Sequence, residues 1–170
     1  MKVDISDYPE DGCDRTYSVE VSDHDIFSTD ETLAIVILPV LKKLREAKLG
    51  APDVRNEDVP EELRKDPDLE LWETDDNWHA RWEYVLDRMI WSFEQIHPEG
   101  PDWESQFYTG EADFDFSPVK ETDEFGEPYH ELLFGPNHTL EFDSEGYQAH
   151  EDKIQEGLIL FGRYFRGLWT

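Results

Sequence analysis

A chain of 170 residues with 42 acidic side chains against 15 lysines and arginines carries a formal net charge of −27. That balance disfavours free duplex nucleic acid as a ligand, because phosphate recognition needs clustered Lys and Arg, and it would favour disorder if there were little to bury. Six Trp, seven Tyr and ten Phe supply the missing apolar area, each ring covering roughly 150–250 Å² when buried, so one folded domain over residues 1–170 is expected.

In chain order, residues 1–14 are expected to be flexible, and Arg15 to Val21 to add an edge strand. Ser28-Thr29-Asp30-Glu31 has the spacing of a capping box, and Leu33, Ile37, Leu38, Leu41 and Leu44 keep one face of the helix that follows. Pro39 inside that pattern predicts a kink or a restart, and Gly50 is expected to close the helix. Residues 50–73, with Pro52, Pro60 and Pro67 among many charges, read as a long extended loop.

A second helix is predicted from Trp78, Trp82, Val85, Leu86, Met89, Ile90 and Phe93, spaced at three and four residues. The period then changes to two. Phe114 and Phe116 alternate with Asp113 and Asp115, Leu132 and Phe134 flank Leu133 after Glu131, and Leu140 and Phe142 alternate with Glu141 and Asp143. With turn residues at 124–127 and 135–138, this predicts a three-stranded antiparallel meander. The third helix is predicted over about 145–168, its stripe formed by Tyr147, His150, Ile154, Leu158, Phe161, Phe165 and Leu168. Gly157, Gly162 and Gly167 would each cost roughly 1 kcal/mol there unless another helix lies flush against them. The expected class is therefore α+β, about three main helices packed with a small antiparallel sheet.

No apolar run approaches the roughly 20 residues of a membrane span, since Leu33 to Leu41 is broken by Pro39. Met1-Lys2-Val3-Asp4 turns acidic before any apolar signal region, and the lone Cys13 has no partner for an internal disulfide. A cytoplasmic setting is expected.

The charge is uneven. Residues 32–52 hold four bases against one acid (+3), whereas residues 99–145 hold 14 acids against Lys120 alone (−13). Within the second stretch Asp113, Asp115, Glu121, Asp123, Glu124 and Glu127 are the candidate acidic face for a basic partner. In the first, Lys42, Lys43 and Lys48, with Arg163 and Arg166 if the third helix packs alongside, are the one place where a small anion such as a nucleotide could be held.

Catalytic signals are weak. Glu94-Gln95-Ile96-His97 has the Glu-x-x-His spacing of di-iron bundles, but that architecture needs a second helical copy, and Glu127-Pro128-Tyr129-His130 falls in a turn. His24 and His150, each beside carboxylates, are weaker metal candidates; neither a metal nor a cofactor is expected. Cys13 lies among carboxylates, which raise a thiol pKa, so it is a poor nucleophile. Neither a phosphate-binding glycine loop nor a nucleophile elbow occurs.

The stretches Thr32-Leu33-Ala34 through Pro39, Lys48-Leu49-Gly50-Ala51-Pro52, Glu57-Asp58-Val59-Pro60, Arg81-Trp82-Glu83-Tyr84-Val85-Leu86-Asp87, Met89-Ile90-Trp91-Ser92-Phe93-Glu94, and the ending from Gly157 to Trp169 resemble a family of small acidic proteins carried by tailed bacteriophages. The resemblance covers most of the chain from about residue 24. It implies a phage origin and action in the cytoplasm of an infected bacterium, and it brings no catalytic residues to carry over.

The leading expectation is thus an accessory protein that inhibits a basic, nucleic-acid-binding host protein, in the manner of an anti-defence factor. A sponge for an anionic nucleotide signal comes second and a metal-dependent hydrolase third. Mimicry of duplex DNA meets a density limit. Spread over roughly 8,700 Å², the net charge of −27 is about threefold more dilute than that of a duplex, at one per about 105 Å². Mimicry therefore requires the acids to share a face.

Overall fold

The computed structural model describes residues 1–7, 14–69, 73–122 and 128–169, with the backbone alone over 116–122 and 128–131. The architecture is α+β, as expected: three long helices and small antiparallel strand pairs among the described residues. The chain divides into two compact units, one formed by Met1–Pro101 with Lys153–Thr170 and one by Asp102–Asp152.

The first unit opens with a hairpin of β1 (Lys2–Ile5) and β2 (Tyr17–Glu20), in which Val3 lies opposite Val19 and Ile5 opposite Tyr17. The expected edge strand is therefore β2, and residues 2–5 supply its partner. A short 3-10 turn at Asp23–Ile26 leads directly into α1 (Thr29–Ala47). The helix starts where expected, but the Ser28 hydroxyl does not cap it. The capping box belongs to the incoming turn, where the Asp25 carboxylate accepts the Ser22 N–H at 2.7 Å, and the Thr32 hydroxyl ties α1 to that turn by donating to the Asp25 carbonyl at 3.0 Å. The helix runs through Pro39, which lies on its exposed side, and ends at Ala47, where the Lys48 N–H still reaches the Leu44 carbonyl at 2.9 Å. Gly50 has a different use from the expected closure. A side chain there would meet the Trp169 ring, 2.8 Å from where its Cβ would sit.

The core gathers Leu38, Leu41 and Leu44 of α1 around Trp82, Val85, Leu86, Met89 and Phe93 of α2 (Trp78–Ile96). From α3 (Ser144–Tyr164) it takes Leu160 and Tyr164. The buried positions of α3 are Ile154, Gly157, Leu160 and Tyr164, so its face is turned relative to the predicted stripe, and Phe165 is exposed. Tight approach explains the turn. A Cβ on Gly157 would lie 2.0 Å from the Ser92 hydroxyl and 2.7 Å from the Arg88 carbonyl, so the two helices meet flush at that glycine. Gly162 has nothing within 4 Å, so the same explanation does not extend to it.

Within the expected long loop of 50–73, residues 50–69 form a packed strap with two short 3-10 turns. Ala51, Val54 and Val59 are buried in the core. Tyr164 pins the strap: its hydroxyl donates to the Asp58 carboxylate at 2.6 Å and accepts the Arg55 N–H at 3.0 Å.

In the second unit, β4 (Phe114–Thr122) pairs antiparallel with β5 (Pro128–Phe134), with a register irregularity between Pro118 and Thr122. The expected third strand does not join them. β6 (Glu141–Phe142) pairs instead with β3 (Tyr108–Thr109), where the Tyr108 and Phe142 rings stack at 4.8 Å. Ring packing outside the hairpin thus decides the partner of a two-residue strand. Asp143 then caps α3, its carboxylate accepting the Gly146 N–H at 3.0 Å.

Candidate partner-binding surface

Residues 102–152 hold 15 acids against Lys120 alone, a formal −14 out of the total −27. Half of the net charge therefore sits on a compact unit of under one third of the chain. It holds a cluster of half-buried rings. Trp103 stacks on His150 at 4.5 Å, Tyr147 lies 5.3 Å from Trp103, and Phe107 meets Tyr147 edge-on at 5.8 Å. His150 is accordingly a ring of this cluster. Desolvation by the surrounding rings, aided by the Glu104 and Glu151 charges, raises the Tyr147 pKa above its usual value. The acids lie at the surface around the cluster: Glu104, Glu111, Asp115, Glu141, Asp143 and Glu145 are all exposed.

The predicted acidic residues divide. Asp115 lies on β4 with its side chain exposed. Asp113 is structural: its carboxylate accepts the Asn137 N–H at 2.9 Å, its carbonyl accepts the Gly135 N–H at 2.9 Å, and its own N–H reaches His138 Nδ1 at 3.3 Å. It ties the start of the β4–β5 hairpin to the turn that leaves it. Glu121 lies on β4, with its side chain outside the described residues, as are Asp123, Glu124 and Glu127 entirely.

Of the five cations proposed for an anion, four carry carboxylate partners. Lys42 pairs with Glu94 at 2.6 Å, Lys43 with Glu46 at 3.5 Å and Lys48 with Glu83 at 2.8 Å, while Arg163 contacts Asp58 and Glu57. Arg166 is exposed in the 3-10 turn Phe165–Gly167 that follows α3. Arg45 extends this seam, meeting Asp87 at 2.8 Å and Glu83 at 3.4 Å. The Lys48 ammonium, then the Arg45 charge, lower the Glu83 pKa, and Asp87 raises that of Arg45. The basic end of α1 thus faces acids of α2. Sequence spacing could not reveal this, because the partners stand on different helices.

His97 ends α2 with Nδ1 accepting the Glu99 N–H at 3.1 Å, and Glu94 faces Lys42. The Glu-x-x-His pair therefore has no shared ligand geometry on this face. No group of three or more His, Cys, Asp or Glu side chains that could hold a metal occurs among the described residues. Among them, too, no helix is long and apolar enough to cross a membrane.

No protein-family model, curated protein or solved structure matches the chain.

Proposed function

We propose that this chain acts by binding, presenting residues 102–152 as an acidic docking module to a basic partner protein and thereby inhibiting it. The reading keeps the phage setting implied by the resemblance, with a nucleic-acid-binding protein of the infected bacterium as the target. The observation that carries it is the segregation of charge: a formal −14 on one compact unit, on which Glu104, Glu111, Asp115, Glu141, Asp143 and Glu145 are exposed. Such a field steers cationic surfaces to the unit and speeds encounter. The nucleotide-sponge reading gains nothing from the geometry, since four of its five cations already face carboxylates.

The test is affinity capture from host lysate at about 0.05 M and about 0.5 M salt, a range over which screening shortens from more than 10 Å to a few Å. A basic protein retained at low salt, lost at high salt, and lost from a variant with Glu104, Glu111, Glu141 and Glu145 all changed to Gln supports the reading. Capture indifferent to both salt and the variant removes it.

A further inference from the structure

The proline of α1 stands on the wall of a cleft. Pro39 carries no N–H, so the Ile35 carbonyl one turn earlier is left without its helical donor. Both residues line a cleft of about 550 Å³ between α1 and the end of α2, and the buried Leu38 lies beneath them. The opposite wall is the C-terminal end of α2, where the last carbonyls carry partial negative charge. Gly100 lies tight against that end: its N–H donates to the His97 carbonyl at 2.7 Å, and a Cβ there would run into the Glu94 and His97 carbonyls.

The charges in the cleft do not cancel. The Lys42 ammonium meets the Glu94 carboxylate at 2.6 Å, whereas the exposed Glu99 carboxylate, on the same cleft, has no ion-pair partner among the described residues. His97 accepts the Glu99 N–H at Nδ1, 3.1 Å away, and as a neutral ring adds no charge. The walls therefore offer one unmatched negative charge, backbone acceptors on both sides and an apolar floor. Their complement is a hydrogen-bond donor with a single positive charge on an apolar body. The volume falls in the range that encloses a whole small molecule.

We infer that the cleft between α1 and the end of α2 is a binding site for a small organic cation, one protonated amine on an apolar ring or chain. The site belongs to the first unit and does not rest on the function proposed above.

The test is titration of the full-length chain, at neutral pH and about 0.15 M salt, with benzylamine, benzyl alcohol and phenylacetate, followed by amide NMR shifts. Benzylamine should bind about tenfold or more tighter than the neutral or the anionic analogue, with shifts confined to residues 35–42 and 94–100. Glu99→Gln and Ile35→Gln should each weaken it about tenfold with circular dichroism unchanged, and Glu104→Gln, outside the cleft, should leave it as it is. Equal binding of the three compounds overturns the inference. So does binding that ignores Glu99→Gln, or that weakens as much in Glu104→Gln, since either marks general attraction of cations to an acidic chain. Preference for phenylacetate overturns it in favour of an anion held by Lys42. Tighter binding of N-acetyl-lysine amide than of benzylamine overturns it in favour of a lysine side chain of a partner protein.

Discussion

The Arg81 guanidinium grips the Asp75 carboxylate at two points, with Nη1 donating at 2.9 Å and Nη2 in ion-pair contact at 2.8 Å, while Nη1 also donates to the Leu63 carbonyl at 3.0 Å. Arg81 is 1% exposed, so a single buried cation joins the strap, the approach to α2 and the helix itself. Burial of this kind makes the pair far costlier to break on one side than to lack altogether.

Arg81→Met is therefore expected to destabilise the fold by about 3–5 kcal/mol, because it strands Asp75 and frees the Leu63 carbonyl. Asp75→Asn should be similarly harmful. The hydrogen bond from Arg81 lowers the Asp75 pKa, so the stabilisation is present above the ordinary carboxylate pKa and is lost as the pH falls through the lowered one. Urea melts at successive acid pH values should show a loss of stability in wild type that is smaller in Asp75→Asn; parallel curves would contradict this.

The contrast between two glycines of α3 gives a second expectation. Gly157→Ala drives a methyl group onto the Ser92 hydroxyl and the Arg88 backbone, and overpacking at about 1–3 kcal/mol outweighs the helix-propensity gain of about 1 kcal/mol. Gly162→Ala meets nothing within 4 Å and should stabilise by up to about 1 kcal/mol. Thermal or chemical denaturation followed by circular dichroism decides it, and equal effects at both sites would refute the flush contact.

Tyr164 sets the alkaline limit of the strap. Burial, and the hydrogen bond to the Asp58 carboxylate, push its pKa from 10.0 up to about 12. The folded state thus holds the proton more tightly than the unfolded chain; this stabilisation is complete below pH 10 and is lost as the pH rises towards 12. The two-unit shift corresponds to at most about 2–3 kcal/mol. Tyr164→Phe should be less stable at neutral pH by about 1–3 kcal/mol, since Asp58 and the Arg55 N–H lose a partner. The gap to wild type should narrow in melts between pH 10 and 12; a constant gap would exclude the assignment.

Much of this architecture can be read from the chain. Trp82, Val85, Leu86, Met89 and Phe93 recur at helical spacing and are the buried face of α2, and Gly157 hinted at its close contact. Other features leave no periodic trace. Val54 and Val59 are isolated apolar residues in a charged, proline-rich stretch, yet they are buried because Arg81 and Tyr164 hold that stretch against the core. Phe142 alternates as a strand should, but with two residues its partner is chosen by the Tyr108 ring. The acidic surplus of 102–152 was visible as a count, whereas the structural use of Asp113 and Asp143 within it depends on N–H groups that only folding brings near. The apolar alternation of Val3, Ile5, Tyr17 and Val19 is present in the chain but split by a long intervening segment, so only the pairing of the strands joins it into one face.

The seam in which Arg45 and Lys48 face Glu83 and Asp87 also governs how the protein behaves in a crowded solution. With the Lys48 side chain 9% exposed, its charge is withdrawn from the surface while the chain keeps a net −27, so approaching molecules of the same kind repel one another. At neutral pH the protein acts as its own dispersant, and acidification that discharges its carboxylates should make concentrated samples flocculate.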